Sequence, residues 1–147
     1  MDSKKNIREI KVDQSMFVAY KKDVITKDYT MGKPLGSGSF GTVRMAVHKQ
    51  TDQKRAIKIL KKEEQDMDKF FLEVDILTKL SHPNIMRIYE YYEDNKHFYI
   101  VSEICSGGEL FEQISEKGQF TEKEAAHLMK QIISAIVYSH TNNIVHR

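Results

Sequence analysis

Three glycines, one lysine and one glutamate carry the chemistry this sequence could do. Gly36, Gly38 and Gly41 stand in the run Leu35-Gly36-Ser37-Gly38-Ser39-Phe40-Gly41-Thr42-Val43. Without Cβ atoms they let a backbone turn tightly and come close to a phosphate, and amides exposed in such a turn donate to phosphate oxygens. Lys58 closes the triplet Ala56-Ile57-Lys58. Residues two apart in a strand share a face, so Ala56 leaves room for a flat ring beside an ammonium that can reach phosphate oxygens. Glu73 lies in a stretch of helical periodicity. Taken singly these signals are weak: two unrelated nucleotide folds use a glycine triplet, and a lone strand lysine is ordinarily a solvated one.

The elements around these residues decide between the two folds. Residues 29–35 read as a strand leading into the glycines. Residues 42–48 read as a second strand, with Val43, Met45 and Val47 alternating against Thr42, Arg44 and Ala46. Lys49-Gln50-Thr51-Asp52 is a polar turn, and residues 55–60 form a third strand. Strand, glycine turn, strand, turn, strand is an antiparallel meander. A dinucleotide-binding fold needs a helix opening after the third glycine and an acidic residue roughly 20 positions on. Here Thr42 and its successors read as strand, and Lys58, a cation, stands 20 positions beyond Gly38.

From 66 to 80, Met67, Phe70, Phe71, Val74, Leu77 and Leu80 recur at helical spacing. At about 100° per residue, Glu73 falls between Leu77 and Leu80, inside the apolar arc. A carboxylate on a buried face is costly unless it is paired, so this helix asks for a facing cation, and Lys58 is the natural candidate. Ser81-His82-Pro83-Asn84 stops the helix, because the residue before proline disfavours the helical region. Strands follow at 85–92 and 97–103, making five strands and one helix. Cys105-Ser106-Gly107-Gly108 is the flexible boundary. Beyond it lie a short helix at 109–115, broken by Gly118, and a longer one ending near Thr141. Thr121 with Glu124 three residues later is a capping-box signal for the second. Its apolar residues surround much of the helix, so it should be buried on several sides.

The chain has 147 residues, room for one domain with a real core. With 23 Lys and Arg against 21 Asp and Glu, the net charge of +2 calls for neither nucleic acid nor a membrane surface. A single cysteine excludes an internal disulfide framework and fits a reducing, cytoplasmic compartment. No apolar run approaches 18 residues, so no membrane segment is expected. Residues 1–27 are mostly charged, with scattered apolar positions, and read as an extension that drapes on the domain, stays mobile or docks as a regulatory arm.

The ordered set of motifs resembles the N-terminal half of a eukaryotic protein kinase domain over residues 29–147. It runs from the glycine loop through Ala56-Ile57-Lys58, the helical Glu73, His82-Pro83-Asn84-Ile85 and Gly107-Gly108-Glu109-Leu110 to Val145-His146-Arg147. The wording around His82 and Gly107 is most similar to the Ser/Thr kinases of the calcium/calmodulin-dependent and calcium-dependent group. The resemblance implies an α+β fold. A five-stranded antiparallel N-lobe with one helix would span 28–104, and the hinge and start of an incomplete helical C-lobe would span 105–147. It implies ATP as cofactor, transfer of the γ-phosphoryl to Ser/Thr in protein substrates, and a calcium sensor domain or protein as a partner.

By the same resemblance, Gly36, Ser37, Gly38, Ser39, Gly41 and Thr42 would cover the ATP phosphates, with Phe40 closing the tip. Lys58 would hold the α- and β-phosphates and pair with Glu73. Leu35, Val43 and Ala56 would sandwich the adenine, Glu103 and Cys105 would offer hinge backbone groups, and Ser102 would be the gatekeeper. Glu109 would contact ribose or a basic substrate residue. Leu77, Ile88 and His146 match members of the hydrophobic stack that links the lobes. The family's catalytic Asp would follow His146-Arg147, and its Mg²⁺ ligands would lie further on, so the 147 residues are expected to be inactive alone. The alternative is a kinase-like module that binds nucleotide or a partner without turnover. The spacing of 15 residues from Lys58 to Glu73 is short for the family.

Overall fold

The computed structural model describes residues 18–38 and 41–146. The run of strands opens earlier than the sequence predicts, because Ala19–Lys21 is itself a strand, β1. It is followed by β2 (Tyr29–Gly38), β3 (Gly41–His48), β4 (Lys54–Lys61), helix α1 (Met67–Lys79), β5 (Ile88–Glu93), β6 (His97–Ser102), α2 (Leu110–Lys117) and α3 (Glu122–Thr141). The α+β class stands, but the sheet has six strands in the order β1-β5-β6-β4-β3-β2, not five. It is also not wholly antiparallel, since β1 runs parallel to β5, pairing Ala19 with Glu90 and Lys21 with Tyr92.

A cluster of polar groups explains the extra strand. Lys21 Nζ lies 2.8 Å from Asp28 Oδ2, 2.9 Å from Glu90 Oε2 and 2.8 Å from the Tyr92 hydroxyl. The Tyr92 hydroxyl donates to Asp28 at 2.6 Å, and that of Tyr29 donates to Glu90. Burial alone would lower the Lys21 pKa. The hydrogen bonds to Asp28, Tyr92 and Glu90 outweigh it and hold the ammonium above its ordinary value. Burial, reinforced by the Glu90 carboxylate, pushes the Tyr29 phenol far up. Scattered charges in the sequence gave no warning of this convergence, because its members are up to 71 residues apart.

Each face of the sheet buries its own core. On one face Ile25, Tyr29, Ala46, Ile57, Tyr92 and Val101 pack together. On the other, Leu60, Ile88, Phe98 and Ile100 meet Phe70 and Val74 of α1. The Phe70 and Phe98 rings stack at 4.3 Å. Both clusters draw on β4 and β6, with Ile57 and Val101 on one face and Leu60, Phe98 and Ile100 on the other. Full burial of side chains such as Tyr92, Phe98 and Ile57 stabilises the sheet by about 1.5–3 kcal/mol each.

Helix α1 buries a different arc from the expected one. Phe70, Val74 and Thr78, spaced four apart, are its buried residues, and Glu73 is exposed. The difference comes from Leu80. It is buried but lies beyond the helix end at Lys79, so its burial belongs to the following loop. Without it the apolar arc centres on Val74, and Glu73, about 100° away, sits on the arc's edge.

The last two helices follow the sequence signals at their ends. Thr121 Oγ1 accepts from the Glu124 amide at 3.3 Å, and Glu124 Oε2 accepts from the Thr121 amide at 2.9 Å. The hydrogen bond from Lys117, followed by those of the box, lowers the Glu124 pKa to about 2. Gly118 ends α2 with φ at +76°, a conformation that costs a side-chain-bearing residue. Their burial departs from expectation: α2 and α3 contain no buried residue. Helix α3 meets the rest of the molecule at the loop after α1. There the Ser81 amide donates to the Tyr138 hydroxyl at 3.0 Å, His82 Nε2 lies 3.0 Å from Ser134 Oγ, and Asn84 donates to Gln131 at 3.0 Å.

Candidate functional site

The glycine stretch is a hairpin and not an irregular loop. Pairing of β2 with β3 continues through Gly36–Val43, Ser37–Thr42 and Gly38–Gly41. Ser39 and Phe40, expected at the tip, lie outside the described residues. Gly41 is required by geometry: its φ is +116°, and a Cβ there would meet the Ile59 carbonyl oxygen at 2.2 Å. Gly36 is different, since a Cβ there would meet nothing within 4 Å. Ser37 and Thr42 are exposed, and Leu35 is 45% exposed.

Cross-strand register then assembles the predicted residues into two rows. Directly opposite residues share a face of the sheet. Gly36, Val43, Lys58 and Ile100 are paired in succession across four strands, and Met45, Ala56 and Ser102 form the next row. Val43, Ala56, Lys58 and Ser102 therefore look out on the same side, under the hairpin. Ala56 and Ser102 are buried, and both are small side chains in the row next to that of Lys58. Ser102 Oγ reaches the Ala56 carbonyl at 3.4 Å and that of Glu103 at 3.3 Å.

Lys58 is half-buried. With Leu60, Gln65, Phe70, Glu73 and Ile100 it lines a cavity of about 320 Å³ between the sheet and α1. Lys58 and Glu73, the expected ion pair, thus face one space. The exposed setting of Glu73 removes the burial cost that made such a pair compulsory in the sequence reading. Gln65, which precedes α1, carried no sequence signal for this cavity. Phe70 was visible only as an apolar helix position.

Beyond β6 the chain is stitched back to the sheet by Glu103. Its amide donates to the Arg87 carbonyl at 3.0 Å, and its Oε1 accepts from the Arg87 amide at 2.8 Å. Cys105 is exposed with a free thiol. Glu109 opens α2, its amide donating to Glu112 Oε2 at 3.3 Å and its carbonyl accepting from Gln113 at 3.1 Å. Ile88 and Leu77 both belong to the α1-side core, whereas His146 is exposed and outside it.

A face of this kind can hold a flat apolar ring against Val43 and Ala56 and an anion near Lys58, with hairpin amides above. Known proteins share the sequence that builds it. The chain is 46% identical over 127 residues to calcium-dependent protein kinase 5 of Plasmodium berghei (strain Anka), covering 85% of this chain and 23% of that protein. It is 40% identical over 148 residues to calcium-dependent protein kinase 4 of the same organism, covering 98% and 28%. A probable myosin light chain kinase of Dictyostelium discoideum is 41% identical over 134 residues, covering 88% and 34%. The chain therefore spans between 23% and 34% of the length of these curated relatives. Residues 29–147, from the start of β2 onward, match the family of the protein kinase domain, and with that match the chain belongs to the protein kinases.

Proposed function

We propose that this chain is the ATP-binding part of a Ser/Thr protein kinase of the calcium-dependent group. In this reading 28–104 is the N-lobe and 105–147 the hinge and start of the helical lobe. The observation that carries it is the row Gly36–Val43–Lys58, which sets a cation beneath a glycine hairpin and next to the small pair Ala56 and Ser102. The residues present fit the nucleotide. Open space at Gly36 admits a phosphate against the backbone, and the small side chain of Ala56, on the same face as Lys58, would leave room for a ring. Lys58 would hold the α- and β-phosphates, and Glu73, across the shared cavity, would turn to it as counter-charge. Leu35 and Val43 would close on the adenine, the backbone of Glu103 and Cys105 would meet its edge, and Glu109 would take the ribose or a basic substrate residue. ATP supplies the phosphoryl group. The chain's part is to position it and balance its charge.

Mg²⁺ would be held by residues outside these 147, as would the hydroxyl-activating Asp. Alone, the chain would then bind nucleotide without transferring phosphate. Protein substrates and a calcium sensor fit the names of the relatives, and the single cysteine fits a cytoplasmic setting. The test is a calorimetric titration of the chain with Mg·ATP, beside Lys58→Met. Binding is expected, weakened at least about tenfold by the substitution, as for loss of a charged hydrogen-bond partner. Equal affinities would overturn the assignment of Lys58. Phosphate transfer to a Ser/Thr peptide by the chain alone, lost on Lys58→Met, would overturn the inactivity.

A further inference from the structure

The glycine hairpin is attached to the sheet in an unusual way. Strand β2 is an edge strand, paired only with β3. Its register breaks twice, between Met31 and Pro34 and again between Pro34 and Gly36. Pro34, the one paired residue between these breaks, has no N–H to give the ladder. A two-stranded ribbon of this length is marginal in water, so the end of β2 from Gly36 to Gly38 would be loosely held by the ladder alone.

The partner residue across from Pro34 is Arg44. Its guanidinium donates twice to the carbonyl of Gly32, from Nε at 3.1 Å and from Nη2 at 2.7 Å. Both bonds reach back into the first break. Gly32 is also tight against the neighbouring residue of β3: a Cβ there would stand 2.9 Å from Met45 Cε and 3.1 Å from its carbonyl oxygen. Main chain on one side and a forked donor on the other fix β2 at Gly32, a few residues before the glycines.

We propose that Arg44 is a positioning residue that tethers the base of the glycine hairpin and sets how Gly36 is held at the end of the Lys58 row. This rests on reading the hairpin as the lid of a nucleotide site. The fork matters as much as the charge. A guanidinium spans one carbonyl with two donors in a fixed plane, whereas an ammonium offers a single flexible bond.

The test compares the 147-residue chain with Arg44→Met and Arg44→Lys by amide hydrogen exchange without nucleotide, and then by Mg·ATP titration. In Arg44→Met, exchange at 33–42 should speed up about tenfold, the loss of roughly one good hydrogen bond, while β4 to β6 and the thermal midpoint stay put. Arg44→Lys should fall between the two. Affinity for Mg·ATP should drop in the same order. Unchanged exchange at 33–42 in Arg44→Met would overturn the tether, and so would faster exchange spread evenly over β4 to β6. If the parent chain binds no Mg·ATP, the nucleotide reading falls, and the exchange comparison still decides the tether.

Discussion

Two glycines five residues apart should respond in opposite ways to the same substitution. In Gly41→Ala the new Cβ is placed 2.2 Å from the Ile59 carbonyl oxygen, where real Cβ contacts stay beyond 3.0 Å. The obstacle is backbone of the adjacent strand, so no side chain can turn aside to relieve it. The φ of +116° adds about 1–3 kcal/mol of conformational strain for alanine. Parting β3 from β4 at this point forfeits roughly one ladder hydrogen bond, about 1 kcal/mol. Together these give a loss of about 2–4 kcal/mol, or roughly 5–15 °C in the unfolding midpoint for a chain of this size. In Gly36→Ala the Cβ meets nothing within 4 Å, and stability should change by less than about 0.5 kcal/mol. That open space is where the proposed phosphates approach, so Gly36→Ala should weaken Mg·ATP binding without touching the midpoint. Thermal denaturation and nucleotide titration of both variants separate the two effects. An unchanged midpoint in Gly41→Ala, or a Gly36→Ala variant as unstable as Gly41→Ala, would refute the geometry behind the argument.

Other perturbations follow from the same structure. Lys21→Met should cost about 1–2 kcal/mol at pH 7, since it strips two carboxylates and a phenol of their shared donor, and urea unfolding measures it. Lys21 first, then Tyr92, holds the Asp28 carboxyl below its ordinary pKa. Its stabilising effect is therefore present above about pH 4 and fades as pH falls through the depressed value. The gap between parent and Lys21→Met should narrow in acid, and a gap that widens would contradict the network. Ser102→Met adds bulk at a buried position beside Ala56. It should cost about 1–3 kcal/mol from overpacking and exclude bulky adenine analogues from the extended kinase, which competition binding would show. Met129, Ile133, Ile136 and Val137 are exposed along α3, a patch of the kind that drives association. The chain should self-associate at micromolar concentrations, and Ile136→Glu should shift the sedimentation profile toward monomer.

Much of the site was legible because local rules converge on it. Gly41 had to be glycine, Ala56 and Lys58 had to share a face, and Thr121 with Glu124 had to open a helix. Each of these depends on residues close in sequence. What the sequence did not show depends on residues far apart. The sixth strand rests on Lys21 meeting Asp28, Glu90 and Tyr92, and no periodicity in 18–28 announces a partner 71 residues away. The arc of α1 was misjudged for a local reason, in that one apolar residue past the helix end, Leu80, rotated the inferred face toward Glu73. Arg44 read as a polar position on a strand, and only the double register break around Pro34 gives its guanidinium something to hold.

Burial is distributed so unevenly that the two sides of the proposed nucleotide site cannot be equally firm. Among the described residues every buried one lies between Ile25 and Ser102. The rows that would meet phosphate and ring, Gly36–Val43–Lys58 and Met45–Ala56–Ser102, lie on strands within that span. Glu103, Cys105 and Glu109 follow it, on a segment leading to helices that reach the core through a few polar contacts at Ser81, His82 and Asn84. Regions with few buried apolar contacts open at low free-energy cost. The phosphate side of the site is therefore set by the sheet, whereas the adenine-edge and ribose side depends on how α2 and α3 are held. Covering the exposed face of α3 would firm the second side and leave the first unchanged.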